Sequence, residues 1–292
     1  MMPKTIIQGF DALLGNLTPS ASESEAAKSH RASIKSCLES NFDLRRFFRM
    51  GSFGNGTSIS GYSDVDYFAS IPTDKLKQDS AKSLEQLRAA LRETFPNSGV
   101  RINCPAVKVP FGTDAKETTE VVPADFLWAT GDNHLVYDIP DCSGSWMRSS
   151  PDAHNAYVRN IDGRLGNKLK SLIRFVKAWK YYLDVPISSF YLEMKIAQWG
   201  WSQNTIIYTI DLQDIFNQLN QVGLAPLWDP VGISGYIAGC STDAKLEDAL
   251  SKLATAIRRI ENAREAEKSG NIEDTYYWWN KVYGGRFPEY TG

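Results

Sequence analysis

Gly51-Ser52-Phe53-Gly54-Asn55-Gly56-Thr57-Ser58-Ile59-Ser60-Gly61-Tyr62-Ser63-Asp64-Val65-Asp66-Tyr67-Phe68 is the stretch on which the reading of this chain turns. Asp64-Val65-Asp66 opens an alternating run into Tyr67, Phe68 and Ala69, which the spacing predicts as a strand. Residues two apart in a strand share a face, so Asp64 and Asp66 project together, with Val65 and Tyr67 opposite. Two carboxylates on one face repel unless a cation lies between them. Glycines at Gly51, Gly54, Gly56 and Gly61 let the backbone approach an anion and turn its N–H groups toward it, and Ser52 adds a hydroxyl. An Asp-x-Asp alone reads as a solvated strand edge, and a Gly-Ser pair alone as a loop. Together they point to a pair of magnesium ions carrying a nucleoside triphosphate.

Outward from that stretch, Ser22-Glu-Ser-Glu25 has the form of a capping box before a helix running to about Phe48, with Ile34, Leu38 and Phe42 on its apolar side. Leu84, Leu87 and Leu91 mark a helix over Ala81 to Phe95, broken by Pro96-Asn97-Ser98-Gly99. Strands are predicted at Val100 to Cys104, Ala106 to Phe111 and Thr118 to Val122, with a turn at Gly112-Thr-Asp114. That order makes a small mixed sheet containing the acidic strand. Asp132 to Pro151, rich in Pro, Gly, Ser and Asp, reads as a connection between lobes. Beyond about Asn160 the pattern is helical. Leu165, Leu169, Leu172, Val176 and Leu183 form one stripe, and Leu246, Leu250, Leu253, Ile257 and Ile260 another. The predicted class is α+β, with domains at 1–150 (catalytic core and N-terminal helix) and 151–292 (helical lobe).

Two carboxylates fill few of the roughly twelve coordination positions of two octahedral magnesium ions, so a third acid is expected. Glu120 is a candidate, because Val121 faces the core and leaves Glu120 on the other face. Asp125 is the alternative, placed after Pro123, which is expected to end the strand. Lys170, Arg174 and Lys177 share a helix face, usually no more than a solvated basic surface. Here a triphosphate tail calls for a cation, and lysine suits it. Ser188-Ser189 opens the next helix, as a cap or an anion contact. Tyr276-Tyr277-Trp278-Trp279 with Tyr283 and Phe287 reads as a C-terminal segment docked in the core, and His154 as a loop histidine.

The chain has 292 residues, 42% hydrophobic and 23% charged, enough for a large core or two lobes. A net charge of −2 and a pI near 6.0 exclude a broadly basic nucleic-acid coat, so no stable nucleic-acid binding is expected. Cys37, Cys104, Cys142 and Cys240 are dispersed, and so are the three histidines. Reduced thiols, oxygen ligands for any metal and a cytoplasmic location are expected. Met1 to Thr18 shows no signal-peptide pattern, and no apolar run approaches a membrane span.

Gly51-Ser52…Gly56-Thr57…Ser63-Asp64-Val65-Asp66 resembles the nucleotidyltransferase signature of the DNA polymerase β-like superfamily. Later segments are similar to the bacterial cyclic GMP-AMP synthase-like family, the CD-NTases. They are Glu120-Val-Val-Pro-Ala124, Tyr137-Asp-Ile-Pro-Asp141 with Trp146 and Pro151, Leu172-Ile-Arg-Phe-Val-Lys-Ala-Trp-Lys180, Ser188-Ser-Phe-Tyr-Leu-Glu193, Asp229-Pro-Val-Gly232, and Trp279-Asn-Lys-Val-Tyr-Gly284 with Phe287-Pro288. The resemblance implies a two-lobed fold with an active site in the cleft. It implies synthesis of cyclic di- or trinucleotide signals from NTPs, with pyrophosphate release, in antiphage defence through a downstream effector. By position, Asp64, Asp66 and Glu120 would bind two Mg2+ ions (Mn2+ as substitute), and Gly51, Ser52, Lys177 and Ser189 the nucleotide. The family's third acid is commonly Asp, whereas this chain has Glu120. A non-cyclising transferase and an inactive nucleotide sensor are the competing expectations.

Overall fold

A computed structural model describes residues 4–18, 21–62, 65–111 and 117–292, with the backbone alone at 21–27 and 117. Ser63, Asp64 and the turn expected at 112–114 lie outside the described residues. The chain divides into two compact units. One comprises Met1–Thr18, Tyr157–Pro230 and Tyr236–Gly292, and the other Pro19–Ala156 with Val231–Gly235. The chain passes from one to the other inside a helix, at 156/157, whereas the sequence suggested a break after 150.

The second unit is built on a seven-stranded mixed sheet. Helix α2 (Ala21–Phe42) precedes β1 (Arg46–Met50), the short α3 (Gly51–Asn55) and β2 (Val65–Ser70). Helix α4 (Ser80–Thr94) is followed by β3 (Arg101–Asn103), β4 (Ala106–Phe111), β5 (Glu117–Ala129), β6 (Leu135–Pro140) and β7 (Trp146–Ser149). The main order is β1-β2-β5-β4-β3, and the far half of β5 carries β6 and then β7. β2 and β5 run parallel, and the other pairs antiparallel. Period-2 alternation sorts the side chains. Val65, Tyr67, Ala69, Val107, Val109 and Val121 pack with Ile34 and Leu38 of α2 and Leu84, Leu87 and Leu91 of α4. Phe68, Ala106, Val122 and Ala124 face the other way, toward Tyr137 and Ile139. Burying the Val, Leu, Ile and Phe side chains among them stabilises the fold by about 1.5–3 kcal/mol each. Asp66 and Glu120 share parity with Phe68 and Val122, so they lie on the face away from α2 and α4.

Five expectations are corrected. Helix α2 stops at Phe42, because Asp43 adopts a left-handed φ of 51° and the chain re-enters as strand β1. The helix already begins at Ala21, so Ser22 stands inside it, and its capping side chain is outside the described set. Pro123 does not end the strand, since β5 runs thirteen residues. Pro123 sits where β5 changes partners on one edge, from β4 at 117–121 to β6 from 125 onward, and there no N–H is required of it. Asp132 to Pro151 is not a linker but contributes β6 and β7 to the sheet. The cysteines also depart from the reduced state: Cys104 and Cys142 form a disulfide, with Cα atoms 5.7 Å apart.

The other unit is helical: α1 (Ile6–Leu17), the end of α5 (Pro151–Arg164), α6 (Leu169–Tyr182), α7 (Ser189–Trp201), α8 (Tyr208–Gln221), α9 (Asp243–Lys268) and α10 (Ile272–Val282), with a two-strand ladder of β8 (Leu227–Trp228) and β9 (Tyr236–Ile237). Helix α1, unforeseen in the sequence, is started by a capping box between Thr5 and Gln8. Its Phe10 is enclosed by Phe175, Trp279 and Phe287, ring centroids 4.9–5.2 Å away. The aromatic C-terminal segment is therefore docked in the core, as expected. Among the described residues no helix is long and apolar enough to cross a membrane.

Candidate active site

The parallel ladder between β2 and β5 sets Asp66 directly beside Glu120. On the other edge of β2, Asp66 is opposite Met50, the residue before Gly51. Gly51 has φ +60°, and a methyl group there would collide with the Asp66 carboxylate, lying 2.8 Å from its Cγ. Only glycine fits that backbone and that contact. Gly51-Ser52 thus turns the chain tightly over the acid. Helix α3 closes at Gly56 (φ +74°), and the Thr57 N–H donates to the Ser52 carbonyl at 2.8 Å. Asp64, expected to share a strand face with Asp66, lies outside the described residues. Among the described residues no group of three or more His, Cys, Asp or Glu converges on a metal position; Asp66 and Glu120 bring two carboxylates to one place. Paired hard oxygen donors on adjacent strands, one seated on a bare glycine Cα, suit a divalent cation of the magnesium type.

Glu120 is held by partners that sequence reasoning missed. Asn103 Nδ2 donates to Glu120 Oε1 at 2.7 Å, and Lys108 Nζ stands 3.6 Å from the same oxygen. Lys108 is the cross-strand neighbour of Glu120, and Asn103 reaches it from edge strand β3. Reading Cys104-Pro105 as a tight hairpin turn would have given the register that brings β3 and β4 together here. Asp125 is placed apart. Five residues beyond Glu120, it falls on the opposite face of β5, pairs across the sheet with Asp138, and accepts from Thr73 Oγ1 at 2.8 Å. Burial pushes the Asp138 carboxyl up, against the pull of Arg148.

In the helical unit, Lys177 is fully enclosed, its ammonium 2.7 Å from Glu193 Oε1. The shared basic face anticipated for Lys170, Arg174 and Lys177 therefore does not open to solvent at Lys177. Lys180, one turn on, donates to Ser189 Oγ at 2.8 Å, and Tyr181 Oη is 3.1 Å from that hydroxyl. Burial first, and repulsion from Lys177 second, lower the Lys180 ammonium to about 8, Glu193 acting against both. Lys180 makes no ion pair among the described residues. Ser188 caps α7, accepting from the Tyr191 N–H at 3.3 Å. Lys180, Tyr181, Ser188, Ser241 and Lys245 line a cavity of about 530 Å³. His154 is buried in α5 rather than presented on a loop.

A mixed sheet with carboxylates on adjoining parallel strands, roofed by a Gly-Ser turn, belongs to the polymerase β-like nucleotidyltransferase fold. The likeness to solved structures bears this out. Escherichia coli MS115-1 CdnC, solved with ATP, superposes with a TM-score of 0.75 at 20% identity, covering 96% of this chain and 98% of that one. Vibrio cholerae DncV cyclic AMP-GMP synthase, solved with the linear intermediate 5' pppA(3',5')pG, gives 0.77 at 14% identity over 99% and 98%. The family model described as Second Messenger Oligonucleotide or Dinucleotide Synthetase domain matches residues 4–161, and the chain belongs to that family. It is thus a nucleotidyltransferase of the CD-NTase kind, as its motifs led one to expect. Two curated relatives are a protein named "Probable cyclic nucleotide synthase" from Bacillus cereus (strain VD146), 23% identical over 81% of this chain and 75% of its own length, and the cyclic AMP-AMP-AMP synthase of Escherichia coli (strain MS 115-1), 22% identical over 85% and 84%.

Proposed function

We propose that this protein joins nucleoside triphosphates into a cyclic di- or trinucleotide second messenger, releasing pyrophosphate, and that the product activates a downstream effector in antiphage signalling within the cytoplasm. The observation that carries the reading is the register of Asp66 against Glu120 beneath Gly51. The family membership and the relatives' names support cyclisation.

In this reading Asp64, Asp66 and Glu120 hold two Mg2+ ions, with Mn2+ as a substitute. When bound, such ions lower the pKa of an acceptor ribose hydroxyl and neutralise charge on the α-phosphate and leaving pyrophosphate. The chain's own residues do the positioning. Gly51 lets the backbone close over Asp66. Asn103 and Lys108 aim the Glu120 carboxylate. Ser52 offers a hydroxyl to phosphate. Lys177 and Ser189 carry the family's triphosphate role by position, and Lys180, already on the Ser189 hydroxyl and free of any ion pair among the described residues, joins them. Lys177, enclosed against Glu193, would act through its repulsion of the Lys180 ammonium rather than by touching phosphate.

The test is incubation with labelled NTPs and Mg2+, then phosphatase and nuclease digestion and mass spectrometry. A phosphatase-resistant product lacking a terminal phosphate is expected. A phosphatase-sensitive chain would make the enzyme a linear oligonucleotide synthase. NTP binding without pyrophosphate release would make it a sensor.

A further inference from the structure

The link between Cys104 and Cys142 stands next to the third acid. Asn103, which donates to Glu120 Oε1 at 2.7 Å, immediately precedes Cys104. It ends β3, a three-residue strand at the sheet edge that pairs with β4 alone among the described strands. So short an edge strand has little ladder to fix its end. The other end of the link is firmly set. Cys142 lies in the β6–β7 turn, where the Asp141 carboxylate accepts from the Ser143 N–H at 2.8 Å, the Ser145 N–H at 2.9 Å and the Ser143 hydroxyl at 2.6 Å. The turn is tied to the start of α4 by the Ser80 N–H on the Gly144 carbonyl (2.9 Å) and by Trp146 Nε1 on the Gln78 carbonyl (3.0 Å). Cys142 is exposed and Cys104 half-buried, so a reductant can reach the pair.

We propose that the Cys104–Cys142 disulfide is a redox clasp that fixes Asn103, a positioning residue, and through it the Glu120 carboxylate, so that divalent-metal affinity follows the thiol state. The proposal rests on the reading of Glu120 as a metal ligand. Opening the clasp requires a dithiol reductant. One thiolate attacks the exposed Cys142 sulfur, forming a mixed disulfide and releasing Cys104 as a thiol. The reductant's second thiol then displaces Cys142 and closes its own disulfide. Two electrons and two protons pass to the protein. The β3–β4 turn is thereby untied from the β6–β7 turn, and the Asn103–Glu120 hydrogen bond loses its anchor.

The experiment measures Mn2+ binding by electron paramagnetic resonance, with a non-hydrolysable ATP analogue present. It compares wild type after oxidation with diamide, wild type after reduction with dithiothreitol, Cys142→Ser and Asn103→Ala, each freed of reagent and each checked for an unchanged circular dichroism spectrum. Thiol titration should find two fewer thiols in oxidised wild type. Oxidised wild type should bind Mn2+ on the order of three- to tenfold more tightly than the reduced protein, the scale of one hydrogen bond. Cys142→Ser should match the reduced protein under both treatments, and Asn103→Ala should bind weakly with no redox difference. Equal affinity in the two wild-type states, four thiols after oxidation, or a redox difference that survives Asn103→Ala would each overturn the clasp. Asp66→Asn separates the two ideas. If it abolishes Mn2+ binding while redox state changes nothing, the clasp alone fails. If it leaves binding intact, the metal reading fails and the clasp falls with it.

Discussion

The acidic and the basic halves of the candidate chemistry are built by different means. Asp66 and Glu120 come together through backbone ladders: β2 and β5 run in register, alternation puts both carboxylates on one face, and Gly51 leaves room for one of them. Lys177, Glu193, Lys180 and Ser189 come together through side-chain packing between helices α6 and α7. A ladder fixes its members to within the spacing of strands. A buried helix face gives a lysine whatever partner the core provides. The acids therefore stand side by side on one sheet face, Glu120 with Lys108 and Asn103 beside it, while one of the two lysines is enclosed against a carboxylate.

The sharpest way to break this comparison is at the ladder. Asp66→Asn should reduce pyrophosphate release to background without loss of fold, because a neutral amide attracts a divalent ion far less than a carboxylate. Gly51→Ala should be nearly as damaging, since its methyl meets the Asp66 carboxylate and the backbone at φ +60° strains any L side chain. Initial rates with circular dichroism would check both. Wild-type-like release from Asp66→Asn would end the two-metal reading.

A somewhat smaller loss is expected at the third acid. Glu120→Gln should approach the severity of Asp66→Asn, and Glu120→Asp should retain activity, because it keeps the charge with a shorter arm. Asp125→Asn should be mild, as Asp125 lies on the other face of β5 and is engaged with Thr73. Titrating the rate against Mg2+ distinguishes them: only the Glu120 variants should shift the half-saturating concentration. A dead Asp125→Asn beside an active Glu120→Gln would move the ligand by five residues and undo the parity argument.

Why the acidic strand was legible and its neighbours were not follows from range. Asp-x-Asp and Val-Tyr alternation are local, so the site strand and the mixed sheet could be read from neighbouring letters. Strand β1 reads as helix because Phe47 and Phe48 extend an apolar pattern, and the break depends on one left-handed residue, Asp43. β6 and β7 were hidden by the turn-rich residues around them, although Val136, Tyr137 and Ile139 are core residues. Asn103 and Lys108 could be found only from the hairpin register. The enclosure of Lys177 could not be read from helical spacing, because Phe175, Val176, Ala178 and Trp179 around it are all buried. Ser171, Arg174 and Lys180 stay partly exposed, so α6 keeps a solvent edge that Lys177 does not share. The pairing of Cys104 with Cys142 spans 38 residues, a contact made by the sheet rather than by any motif.

The basic half should respond in stability before it responds in activity. Lys177→Met leaves the Glu193 carboxylate buried without its partner, and breaking such a pair costs about 3–5 kcal/mol. Urea unfolding should show that loss. Adding Glu193→Leu should recover most of it, because replacing both members removes the uncompensated charge. If Lys177→Met is as stable as wild type, the pair is not holding α6 to α7, and Lys177 is available to phosphate after all.

The smallest effect, and the one that most sharpens the contrast between the two lysines, is the pH dependence of Lys180. Its ammonium is lowered from 10.5 to about 8, by burial first and by Lys177 second, so the folded state binds that proton less tightly than the unfolded chain. Below about 8 both states are protonated and the full penalty of burying the charge is present. Between about 8 and 10.5 the folded protein has released a proton that the unfolded chain retains, and stability attributable to this group rises with pH. Above 10.5 the penalty is gone. Lys180→Met carries no such penalty. Its stability advantage over wild type, measured by urea unfolding, should therefore be greatest near pH 7 and shrink steadily toward pH 10. A flat difference across that range would mean that Lys180 is charged throughout and that its burial is compensated. Saturating non-hydrolysable ATP with Mg2+ offers the decisive contrast. A phosphate tail beside Ser189 would supply opposite charge, hold the ammonium protonated and flatten the slope. A slope unaltered by the nucleotide would place the triphosphate away from Lys180.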